Sequence, residues 1–131
     1  MRAIALLAIA TVLAFSQPTL GETVRVASKT FTESYVLGEL VTQLLESRGL
    51  QVSRKLGLGG TLVTYEALRA GAIDVYPEYT GTLAQAVLGT PGMARAELDS
   101  ALEELDLHIS ISFGFSNSYA IAVREDLAQS L

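Results

Sequence analysis

The chain has 131 residues, 50% of them hydrophobic and 18% charged, a globular composition that fits one core and excludes intrinsic disorder. Its formal net charge of -5 offers no basic stripe to neutralise phosphates, which excludes nucleic acid as a partner. The absence of cysteine excludes disulfides, thiolate metal sites and a cysteine nucleophile.

Met1 and Arg2 precede an uncharged apolar run from Ala3 to Phe15. The run is shorter than the roughly 20 residues a spanning helix needs and has the form of a secretory h-region. We therefore expect a signal peptide over 1–21, cut after Ser16 or Gly21, and an exported chain. Thr23 to Ala27 alternates polar and apolar residues and predicts the first strand. Thr30 and Glu33 have the spacing of a capping box, and the helix they open carries Leu37, Leu40, Val41, Leu44 and Leu45 at intervals of three and four, a core-facing stripe. Gly49 supplies a left-handed stop.

Gln51 to Leu56 predicts a second strand. The glycine-rich Gly57-Leu58-Gly59-Gly60-Thr61 that follows matches neither the P-loop nor the dinucleotide fingerprint. It is expected to be a loop whose backbone comes close to a neighbour or a ligand, with Thr61 capping a helix from Leu62 to Ala70 that ends at Gly71. Ala72 to Tyr76 predicts a third strand. Strand, helix, strand, helix, strand implies βαβ units, a largely parallel sheet and the α/β class. Leu83 to Leu88 reads as a short helix, Ala94 to Leu105 as an amphipathic one with a solvated acidic face, and 109–113 and 119–123 as strands. Glu125 begins a further helix. His108 is the one histidine and cannot build a zinc site without other ligands, so no metal is expected.

The stretch with the density of a site is Ile73-Asp74-Val75-Tyr76-Pro77-Glu78-Tyr79-Thr80-Gly81-Thr82. Pro77 fixes its own φ and lacks an N–H, so the strand ends there and Tyr79, Thr80 and Thr82 fall at its carboxyl end, where open α/β sheets bind ligands. Two readings remain at this point: a binding crevice, or a turn whose tyrosines pack on the core.

The motifs V-A-S-K-T-F-T-E at 26–33, L-G-L-G-G-T at 56–61, I-D-V-Y-P-E-Y-T-G-T at 73–82 and G-F-S-N-S-Y-A at 114–120 together resemble the extracytoplasmic glycine betaine/choline-binding proteins of osmoprotectant ABC importers. The resemblance covers Val24 to about Leu127. It implies a periplasmic-binding-protein-like lobe of type II, with 22–131 as the first lobe and a crossover strand near 115–123, incomplete relative to the two-lobed family fold. It also implies a periplasmic chain that hands a quaternary ammonium ligand to a membrane ABC permease, with no cofactor and no reaction catalysed. Such a cation has no N–H to donate, so aromatic faces must hold it. By the resemblance, Tyr79 and Tyr119 are the cage tyrosines of this half, and Lys29 and Thr82 bind a betaine carboxylate; Tyr76 is read instead as a core residue. Lysine beside a helix N-terminus is electrostatically unfavourable and so invites an anion partner. The alternatives are a truncated non-binding remnant and an exported enzyme using Glu78 as general base. Against the enzyme stands the absence of a second positioned carboxylate, a nucleophile with its base, or metal ligands.

Overall fold

The computed structural model describes residues 21–117 and 121–129, so the expected signal peptide and Tyr119 lie outside the described residues. Strand β1 (Val24–Lys29) and strand β2 (Val52–Gly59) pair in parallel, joined by helix α1 (Thr32–Ser47), and helix α2 (Thr61–Arg69) follows β2. Beyond it come a single helical turn α3 (Thr80–Thr82), a π-helical segment (Leu83–Val87), α4 (Arg95–Glu103) and the short α5 (Glu125–Ala128). The model is α/β, with β1 between β2 and the 73–76 segment.

That segment is not the strand expected for Ala72 to Tyr76. It joins β1 through one parallel bridge, Val26 to Val75, supported by bonds from Ala27 N–H to Val75 O and from Asp74 N–H to Arg25 O. The Asp74 carboxylate takes the Arg25 N–H that a longer ladder would use, at 2.6 Å, and Pro77 has no donor to extend the pairing. The Arg25 guanidinium closes the junction by bonding Asp74 and the Gly71 carbonyl. The stretches 109–113 and 121–123 are not strands either; they carry no regular structure and are mostly exposed, with no ladder partner among the described residues.

Three local expectations are also corrected. Phe31, not Thr30, occupies the cap of α1, without a side-chain bond, and the Lys29 N–H is taken by the Ser34 hydroxyl at 2.8 Å. The face of α1 that meets the sheet is Ser34, Gly38 and Thr42, all buried, whereas Leu40 and Leu44 are 58% and 57% exposed. Small residues every fourth position let the helix approach closely: a Cβ on Gly38 would stand 3.3 Å from the Ala27 carbonyl oxygen. Thr61 is the first residue of α2 rather than its cap, which Gly60 provides. Gly49 and Gly71 do end their helices at positive φ.

Gly57 and Gly59 belong to β2, not to a loop. Between the pairs Ala27–Lys55 and Lys29–Gly59 the first strand advances two residues and the second four. Gly57 absorbs this at φ 73°, donating its N–H to the Ser28 hydroxyl at 2.9 Å. The expected close approach is there: the Tyr35 ring lies where a Gly57 Cβ would be, and Val63 stands 2.9 Å from a Cβ on Gly59. An apolar cluster of Leu83, Leu98 and Leu102, flanked by Val87 and Leu107, packs α4 against the π-helical segment. Glu97, Glu103 and Glu104 face water and Asp99 is half-buried.

Candidate functional site

The carboxyl end of β1 and the 76–82 turn border a cleft of about 920 Å³. Lys29, the last residue of β1, is 4% exposed. Its position follows from the displaced register just before it, which buries Ser28 and Lys29 together below the start of α1. Its Nζ donates to Glu78 Oε1 at 2.5 Å, and both side chains are 5% exposed. Nζ also stands 3.4 Å from the Thr61 hydroxyl, 5.2 Å from the Phe31 ring centroid and 5.6 Å from that of Tyr79. The anion partner expected beside Lys29 is present within the chain itself.

Glu78 Oε1 accepts the Tyr79 N–H as well, at 2.9 Å, while Oε2 is buried without a partner among the described residues. The Tyr76 hydroxyl is likewise buried and unpartnered, although its ring is half-buried rather than core. Burial, then the Glu78 charge, pushes the Tyr76 phenol well above its ordinary value and keeps it protonated. The Tyr79 phenol is raised too, by burial first and then by Glu33. Asn117 donates to Glu33 Oε2 at 2.9 Å and lies 3.4 Å from the Tyr79 hydroxyl, so the 113–117 segment crosses one side of the cleft. Phe113 and Phe115 stack there with centroids 6.5 Å apart.

Among the residues expected to form the site, Lys29, Tyr79 and half-buried Thr82 all line this cleft. Tyr119 lies outside the described residues. Phe31 and Glu78 were not read from the sequence as parts of a binding site. Phe31 carried a signal in its position immediately before the helix, and Glu78 in being the carboxylate adjacent to Tyr79. His108 lines the cleft with an exposed ring. Chemically the arrangement holds a cation over aromatic faces and compensates it with a carboxylate. A carboxylate tied to a lysine and an amide is poorly placed to act as a general base.

A family model described as the substrate-binding domain of the ABC-type glycine betaine transport system matches residues 22–131. The chain belongs to this family. Its members are binding domains of transporters, not enzymes. Similar proteins include the ergothioneine transport permease/ergothioneine-binding protein EgtU of Helicobacter pylori, 32% identical over 79% of this chain and 20% of the relative. The glycine betaine-binding protein YehZ of Escherichia coli is 47% identical over 44% of this chain and 19% of the relative, and the carnitine transport binding protein OpuCC of Listeria monocytogenes is 32% identical over 82% and 38%. The solved structure of apo YehZ superposes with a TM-score of 0.54 at 35% identity, covering 64% of this chain and 31% of the other. The chain thus spans about a fifth to two fifths of the length of these relatives.

Proposed function

We propose that this chain supplies one wall of the ligand site of an extracytoplasmic solute-binding protein, which takes a quaternary ammonium osmolyte such as glycine betaine or choline and passes it to an ABC permease without catalysing a reaction. The observation that carries the reading is the buried Lys29 ammonium between the Phe31 and Tyr79 rings: the cleft already holds a cation by aromatic faces. The relatives named for glycine betaine, carnitine and ergothioneine agree with this class, since each of those compounds carries a quaternary ammonium and a carboxylate. Tyr79 and Tyr119 are proposed as cage walls, with Lys29 and Thr82 toward a ligand carboxylate. Export to the periplasm is proposed from the apolar leader, and the family match begins at residue 22, directly after it.

The test is titration of the chain, followed by NMR chemical shifts, with glycine betaine and with choline. Both should shift Tyr79, and Tyr79→Ala should weaken both by about 1–3 kcal/mol if the ring is a desolvated wall. No shift from either ligand, or no loss on Tyr79→Ala, refutes the reading.

A further inference from the structure

The ligand reading gives Lys29 a carboxylate to hold, yet its ammonium is already taken. Glu78 pairs with it, both side chains are 5% exposed, and Glu78 is fastened in turn by the Tyr79 N–H. Its second oxygen is buried without a partner among the described residues, next to the cleft wall that Tyr76 and Tyr79 share. A further carboxylate, Glu33, reaches the Tyr79 hydroxyl through Asn117. Arg95, another cation lining the cleft, is paired with Asp99. Among the described residues, one ammonium therefore stands against two carboxylates around the Tyr79 ring.

We infer that Glu78 sets the preference of this cleft between a zwitterionic and a purely cationic quaternary ammonium ligand. A ligand carboxylate that approaches Lys29 must share it with Glu78, and two like charges on one ammonium repel. A ligand with no carboxylate meets no such conflict, and its cation gains from the uncompensated charge. Glutamine at 78 keeps the shape and the acceptor for the Tyr79 N–H but exposes the full Lys29 charge to the ligand. The inference rests on the ligand class proposed above.

Two measurements on the chain separate its failure from failure of that proposal. The first is NMR titration of wild type, Glu78→Gln and Glu78→Asp with glycine betaine and choline. Glu78→Gln should raise the betaine-to-choline affinity ratio about tenfold or more, and Glu78→Asp, which keeps the charge, should leave the ratio near wild type. The second needs no ligand: amine acylation read by mass spectrometry. Buried, paired Lys29 should react far more slowly than exposed Lys55 in wild type and faster in Glu78→Gln. An unchanged ratio with both ligands still bound overturns the inference and leaves the ligand class standing. Lys29 as reactive as Lys55 in wild type overturns it even if the Gln variant does not fold. Binding of neither ligand by wild type overturns the ligand class and this inference together.

Discussion

Replacing Lys29 with methionine should destabilise the chain far more than removing a surface lysine would. The ammonium and the Glu78 carboxylate are 2.5 Å apart and 5% exposed. At an effective dielectric constant of about 20, charges this close attract by roughly 6–7 kcal/mol, most of which offsets the desolvation of two ions. Methionine nearly conserves the volume of the lysine stem, so the loss is electrostatic rather than a cavity. It leaves Glu78 buried with the Tyr79 N–H as its remaining donor, a deficit of about 3–5 kcal/mol. The double variant Lys29→Met/Glu78→Gln has no buried charge and still offers Tyr79 an acceptor, so it should cost only about 1–2 kcal/mol. Urea unfolding at neutral pH, followed by far-ultraviolet circular dichroism, measures all four corners of the cycle. A solvated lysine behaves otherwise. A loss under about 1 kcal/mol for Lys29→Met, or single effects that add to within about 0.5 kcal/mol, would refute the buried pair.

Two further perturbations test how the site is positioned. Gly57→Ala places a Cβ at φ 73° against the Tyr35 ring, 2.8 Å from Cζ, and should cost about 1–3 kcal/mol in the same unfolding assay; adding Tyr35→Ala should recover the steric part and leave the backbone part. The Arg25 guanidinium holds the Asp74 carboxyl below its ordinary 3.8, so that pairing stabilises the chain above this pH and is lost as pH falls through the lower folded-state value. The stability gap between wild type and Asp74→Asn should accordingly be widest above about pH 4 and close in stronger acid, and it should stay under about 1 kcal/mol because both partners are more than a third exposed. A gap that widens on acidification contradicts the assignment.

The sequence by itself determined the first two strands, helices α1, α2 and α4, and the family. Hydrophobic patterning placed α1 and α4, start and stop residues placed α2, and Gly49 and Gly71 marked two of the ends, because a residue at positive φ is a local requirement that glycine meets at no steric cost. The four motifs pointed to the family that the 22–131 match bears out. Tertiary structure decided which face of each element is used. In the sequence of α1 the leucine stripe outweighs Ser34, Gly38 and Thr42, although their spacing of four is legible, since periodicity records which residues share a face and not how closely a sheet must approach it. The third strand shrank to one bridge because Asp74 turned its carboxylate onto a backbone amide 49 residues away. Lys29 and Glu78 are separated by the same interval. The sequence offers Lys29 to an outside anion and Glu78 as a possible general base, and only the parallel pairing of β1 with the 73–76 segment, together with the register shift at Gly57, carries both out of water and makes each the other's counter-ion.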